Sequence, residues 1–244
     1  MLSLPLCSLM LQAALIHGAD PSREGILEKL PPGEKATVLF NGKDLNGWEG
    51  APEFWSVEKG AIRGANRGSV PSSTYLFTQE KHRAFRLLFE VKQTRSPKHS
   101  PMHSAVGILG ERITDAGDNT FGFRGPLVMF CNDWGIWDAH RRNRVVPVGP
   151  GPKVEKVGDW NLIEVLVIGN RIRCAANGTL IFDFNDKADM LRPSPIGLQL
   201  HSNDRPQEFF FRKLYLVKDP VDQMVTVKPP AIGSGTPSPA ETDR

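Results

Sequence analysis

The stretch from Leu162 to Phe184, LIEVLVIGNRIRCAANGTLIFDF, constrains the fold more than any other. It holds three alternating runs of apolar residues. Gly169-Asn170 divides the first run from the second, and Asn177-Gly178 divides the second from the third. Two-residue turns of this kind reverse a strand with the twist that antiparallel pairing needs. The segment therefore reads as three consecutive antiparallel strands. A period of two recurs along the chain. In Ala84–Lys92, Phe85, Leu87, Phe89 and Val91 share one face, and Arg86, Leu88, Glu90 and Lys92 share the other. That charged face either meets water or lines a cleft. FWSVEKGAIRG (54–64) reads as two short strands joined at Lys59-Gly60, and TYLFT (74–78) and EFFFRKLYLV (208–217) read as further strands. In SPIGLQLH (194–201), Ile196, Leu198 and Leu200 point inward, so Gly197, Gln199 and His201 share the other face. HSAVGILG (103–110) places His103, Ala105, Gly107 and Leu109 together.

About a dozen such strands, with turns roughly every ten residues, predict an all-β chain: a two-sheet antiparallel β-sandwich of the jelly-roll kind. Twenty prolines and 23 glycines supply the turns. A repeat of fixed period is missing from the sequence, which argues against a propeller.

The ends read differently. Residues 1–16 carry no charge, yet Pro5 and Gln12 break the run, which is too short to span a membrane. Residues 1–19 resemble a secretory leader with a small-residue exit at Gly18–Ala19, although its start lacks Lys or Arg. That predicts a secreted or periplasmic protein. Residues 20–35 form a polar lead-in, residues 36–219 the sandwich, and residues 220–244 a disordered tail rich in Pro, Ser, Thr and Gly. The net charge is +3, and the basic residues are scattered rather than gathered in a stripe, so nucleic acid is not an expected partner. Cys131 and Cys174 remain beyond the leader. They form one disulfide or stay as two buried thiols, and spacing does not choose.

Chemistry-bearing side chains concentrate in Asn119–Arg144. Trp134, Trp137, Asp133, Asp138, His140, Arg124, Arg141, Arg142 and Arg144 lie within 26 residues. Aromatic faces beside charged hydrogen-bonders suit a sugar, whose C–H faces stack and whose hydroxyls need fixed partners. The same residues also suit a core with a solvated arginine loop. Trp134 and Trp137 are three apart in an extended run, so they point to opposite faces and one belongs to the core. His99 and His103 are spaced like a helical metal pair, but Pro101 between them denies the helix.

The phrases LFNGKDLNGW, FWSVEKGAI, GDWN, the ANG turn and GLQLHS, in this order, resemble the family of 3-keto-disaccharide hydrolases over roughly Thr37 to Leu216. The resemblance implies a concanavalin A-like lectin/glucanase fold and action on an oligosaccharide or glycoside oxidised to a ketone at C3. Such a ketone acidifies the C2 proton. Its removal gives an enolate that expels the C1 substituent, and later hydration completes cleavage. The reaction needs a base and a group that stabilises the enolate oxygen; a divalent metal ion is one way to supply the second. Carried over by residue, the family's strand carboxylate matches Glu90 and its Leu-Gln-x-His phrase matches Leu198–His201. The resemblance thus makes His201 the candidate base, with Glu90 and Arg124 as further catalytic candidates. Gln199, Trp134, Trp137, Asp138 and His103 are candidates for holding substrate. The sequence departs from the family at two places. Asn-Ser-Gly has become His103-Ser104-Ala105, and a central carboxylate is missing from Gly125–Asn132. A non-catalytic, lectin-like carbohydrate-binding module is therefore the alternative. No Glu-x-Asp-x-Glu strand is present for ordinary retaining hydrolysis.

Overall fold

The structure is a computed structural model that describes residues 25–114, 120–129, 135–138, 143–144, 146, 151–186 and 191–227. In chain order its strands are β1 (Ala36–Val38), β2 (Trp48–Glu49), β3 (Trp55–Glu58), β4 (Ala61–Asn66), β5 (Thr74–Thr78), β6 (Phe85–Gln93), β7 (Val106–Gly107), β8 (Glu111–Ile113) and β9 (Gly122–Arg124). They continue as β10 (Pro126–Met129), β11 (Gly135–Asp138), β12 (Asn143–Arg144), β13 (Asn161–Ile168), β14 (Arg171–Ala176), β15 (Thr179–Asn185), β16 (Gly197–Leu200) and β17 (Gln207–Lys218). The leader, Cys7, Cys131, Trp134, His140 and the arginines at 141 and 142 lie outside the described residues.

One sheet has the order β15-β14-β13-β6-β17-β4-β3, with β1 added to β17. The other has the order β12-β11-β10-β7-β16-β5-β2, and β8 and β9 form a separate two-stranded ribbon. Every pairing is antiparallel. The inward residues of β6 and β13 (Phe85, Leu87, Phe89, Val91, Ile163, Val165 and Val167) meet Val128, Ile136, Leu198 and Leu200 of the second sheet in one core. Alternation thus decides which half of each strand leaves water, and the burial of those side chains holds the sheets together. The architecture is the two-sheet sandwich of lectin/glucanase type. Among the described residues, no helix is long and apolar enough to cross a membrane.

The three-strand segment folds as β13, β14 and β15, with a further tie at its second turn. Asn177 sits at φ 49°. Its side-chain nitrogen donates to the Val154 carbonyl and to Asn161 Oδ1, both at 2.8 Å, and its Oδ1 accepts the Leu162 amide at 3.0 Å. Asn161 in turn accepts the Lys156 amide at 2.7 Å. The GDWN phrase is thereby fixed against the hairpin.

Two expectations are corrected. The run from His103 to Gly110 is not one strand, because only Val106–Gly107 pairs. Leu109 takes φ 55° and buries its side chain in the core, so it leaves the face of His103 as the chain turns into β8. Packing also continues past Pro220. Arg86, on the outer side of the first sheet, is fully buried with Glu164 and Glu34. Residues 221–226 cross above them. The Val221 and Gln223 carbonyls accept from Arg86, and the Val225 and Thr226 amides donate to Glu164 at 3.0 and 2.8 Å. Glu34, from the lead-in, accepts the Val221 amide at 2.7 Å. The lead-in and this strap therefore belong to the domain.

Candidate active site

β16 presents Leu198 and Leu200 to the core, so Gly197 and Gln199 face outward from the second sheet. Gly197 lies opposite Gly107 of β7. Both positions exclude a side chain. A Cβ on Gly197 would stand 2.7 Å from the Phe77 ring, and one on Gly107 would stand 2.8 Å from the Phe123 ring. Aromatic rings therefore lie directly on the backbone here. Tyr75, Phe77 and Phe123 cluster with centroids 5.7–6.2 Å apart, and Leu127, Met129 and Trp137 pack against them. The β8–β9 ribbon supplies Phe123. Its Arg112 lies over the Phe77 and Phe121 rings at 5.3 and 5.0 Å and pairs with Glu49 at 2.6 Å. The chain itself covers this half of the outer face.

The other half is polar. The Gln199 backbone amide donates to the Ala105 carbonyl at 3.0 Å, and the Gln199 carbonyl accepts Ser104 Oγ at 2.6 Å. The Gln199 side-chain nitrogen donates to the Tyr75 hydroxyl at 2.9 Å. Its Oε1 is buried and has no hydrogen-bond partner among the described residues. Burial holds the Tyr75 phenol well above its ordinary value, with the Gln199 bond opposing this only in part. The hydroxyl therefore stays protonated and keeps its own O–H to donate.

Beyond Gln199, His201 and His103 stand opposite one another with ring centroids 5.4 Å apart, edge to face. Both are half-buried. His201 Nδ1 lies 2.7 Å from the Ser202 carbonyl. A carbonyl only accepts, so Nδ1 carries the hydrogen and Nε2 of the neutral ring carries the lone pair. The backbone around it is held at two further points. Gln207 Nε2 donates to the His201 carbonyl at 2.6 Å, and the Ser202 amide donates to Ser73 Oγ at 3.0 Å.

The predicted residues are thus divided. His201 and His103 come together beyond Gln199 on the outer face of the second sheet, whereas Trp137, on β11, packs with the aromatic cluster that covers the other half. Glu90 does not join them. It lies on β6 of the first sheet, facing away from the core, and pairs with Arg212 at 2.6 Å and Lys213 at 2.9 Å. The whole sandwich stands between it and His201. Arg124 projects from the ribbon on the side opposite Phe123, is half-exposed and lies 3.6 Å from Glu111. Asp138 ends β11 opposite Pro126; its side chain and Trp134 lie outside the described residues. Tyr75, Ser73 and Gln207 are additions. Tyr75 was legible as the aromatic neighbour of Leu76 on the alternate face of TYLFT. Ser73 and Gln207 act only through contacts across strands, which no local pattern announces.

Among the described residues, no group of three or more His, Cys, Asp or Glu side chains is placed to hold a metal ion. His103 and His201 provide two imidazoles, which do not fit a three-ligand centre. An open cleft of about 480 Å³ lies beside β5, bounded by Ala51–Phe54, Val70–Ser72, Thr74 and Thr120–Phe121.

Comparison with known proteins agrees with the fold. Two candidate glycosyl hydrolases from Parabacteroides distasonis ATCC 8503 are similar in fold. One has a TM-score of 0.54 at 18% identity over 75% of this chain and 93% of its own. The other has a TM-score of 0.52 at 19% identity over 75% and 98%. The carbohydrate recognition domain of Emp46p, in its potassium-bound form, has a TM-score of 0.52 at 12% identity over 72% and 90%. No curated protein sequence matches the chain. Residues 35–217 match the family model described as the 3-keto-alpha-glucoside-1,2-lyase-like domain, and the chain belongs to that family.

Proposed function

We propose that this protein is an exported carbohydrate-active enzyme that cleaves glycosides bearing a ketone at C3. The observation that carries the reading is the bond from His201 Nδ1 to the Ser202 carbonyl, which leaves Nε2 as a base on the half-open face. Nε2 takes the proton from C2. The electron pair passes through the enolate of the C3 ketone, the C1–O bond breaks, and the aglycone leaves and takes up a proton. Water added to the unsaturated sugar completes net hydrolysis. His103 faces the same space and supplies an N–H toward the enolate oxygen. Gln199 and Tyr75 are buried and bonded to each other, and brace the strand that leads to His201. Glu90 and Arg124 take no part, and no step is routed through a metal. The charge-free first 16 residues support export; mass spectrometry of the processed chain, expected to start near Asp20, tests it.

The test of the reaction is release of a chromogenic aglycone from a 3-keto-glucoside. His201→Ala is expected to lower kcat by about 100-fold or more with little change in affinity, as for loss of a general base. Release that persists in the variant rejects His201. Assays with chelator and with added divalent cations read any metal contribution. The second reading, a carbohydrate-binding module, is favoured by the Phe123 ring closing half of the face. Saturable sugar binding with no release would establish it.

A further inference from the structure

We infer that the outer face of the first sheet carries a site for an oxyanion, held by Lys92 and Arg212 beside the Trp160 ring. This face lies across the sandwich from His201, and the inference does not rest on the reaction proposed there. Phe89, Val91, Phe209 and Phe211 point into the core, so Lys92 of β6 and Phe210 and Arg212 of β17 face outward by alternation. Register then sets three side chains in a row. Phe210 lies opposite Lys92, and Asn161 lies opposite Val91. Trp160, the residue before Asn161 in the GDWN phrase, therefore flanks Lys92 on its other side. The Lys92 ammonium stands 5.1 Å from the centre of the Trp160 ring and 5.1 Å from that of Phe210. The Arg212 guanidinium stands 3.9 Å from the same Trp160 ring. The two charges are thus no further apart than the sum of their distances from that ring.

Counter-charge is short here. Among the described residues, the Lys92 ammonium pairs with no carboxylate. Arg212 donates from Nε to Glu90 at 2.6 Å, and its two terminal nitrogens have no hydrogen-bond partner among the described residues. Glu90 also takes Lys213 at 2.9 Å, so Lys92, Arg212 and Lys213 have one carboxylate between them. The neighbouring acids are engaged elsewhere: Glu208 by Arg63 at 2.7 Å and Thr94 at 2.5 Å, and Asp159 by the Trp160 amide at 2.7 Å. Lys92 and Arg212 are both only partly exposed. Two such cations repel each other, and ring faces offset that only in part. An oxyanion that accepts from both, through charge-assisted bonds of about 2.8 Å, removes the repulsion and uses the open side of the guanidinium fork. A neutral ligand gains much less, and a cation is repelled. The ligand class is a sulfate, phosphate or carboxylate group, free in solution or carried on a sugar.

The experiment follows the Trp160 indole N–H and the Arg212 Nε–H by NMR in the full chain at low ionic strength. Sodium sulfate is expected to shift both signals saturably, and sodium chloride at equal ionic strength is not. Lys92→Gln and Arg212→Gln, at two separate partly exposed positions, are each expected to weaken sulfate binding by about tenfold or more. Glucose 6-sulfate and glucuronate distinguish the sources. Tighter binding of either than of sulfate upholds the site as one for an acidic sugar, and equal binding upholds it as one for the free ion. Absence of a saturable shift overturns the inference, as does a shift that persists unchanged in both variants. An equal response to plain glucose also overturns it, because the recognised group is then not the anion.

Discussion

Two glycines in one cross-strand pair decide how much of the outer face stays open. Gly197 and Gly107 let Phe77 and Phe123 lie on the backbone of β16 and β7. Gly197→Ala puts a Cβ 2.7 Å from the fully buried Phe77 ring. The ring must shift within a packed cluster, at a cost of about 1–3 kcal/mol. A lower urea midpoint at unchanged slope is the expected result; an unchanged midpoint would show that the cluster has slack. His82 gives a second residue-level prediction. Burial lowers its pKa below the ordinary value, with Glu80 opposing and Lys218 reinforcing the shift. The unfolded chain then takes up a proton near pH 6.5 while the folded one does not. His82 makes no contribution to stability above that pH. As pH falls through 6.5 it destabilises the fold, until the folded-state group is protonated as well. His82→Leu should flatten the decline in Tm between about pH 7 and 5. A decline as steep as that of the unaltered protein would assign it elsewhere.

At the scale of elements, the β8–β9 ribbon and β5 act as a unit. Phe123 anchors the ribbon to the sheet, and the Phe121 carbonyl closes the free edge of β5 at Tyr75. Phe123→Ala removes most of this ring packing. The Tyr75 amide should then exchange its hydrogen faster while core amides of β13 keep their protection, because only the ribbon opens. Equal acceleration in both would mean that the ribbon is part of the global unfolding unit. The same element shows why site prediction from sequence divided as it did. GLQLH put Gln199 and His201 on one face by alternation alone, and the pairing of β16 with β7 brought His103 beside them. Glu90 also obeyed alternation, but alternation does not say which sheet a strand joins. Its partners Arg212 and Lys213 come from β17, more than a hundred residues away.

For the molecule as a whole, the lead-in and the strap close over one buried charge cluster. Arg86 has no exposed side-chain surface and serves Glu164 and Glu34 together. Arg86→Met strands two carboxylates without their cation, and loss of about 3–5 kcal/mol is expected from equilibrium unfolding. Cutting the chain after Pro220 removes the amides of Val225 and Thr226 from Glu164 and should lower Tm as well. A full-length Tm in the truncated chain would show that the strap is dispensable.

The sequence by itself determined most of the strands, their inward faces and the antiparallel sandwich, because a period of two and two-residue turns are local properties of the chain. It also placed Gln199 with His201. The tertiary structure decided the rest: which sheet holds Glu90, which side of the ribbon bears Arg124, how Ser202 and Gln207 fix His201, and how residues 221–226 close over Arg86 and Glu164. Each of these depends on contacts between residues distant in sequence. Such contacts form only when strand order and register are set, and no local period encodes them.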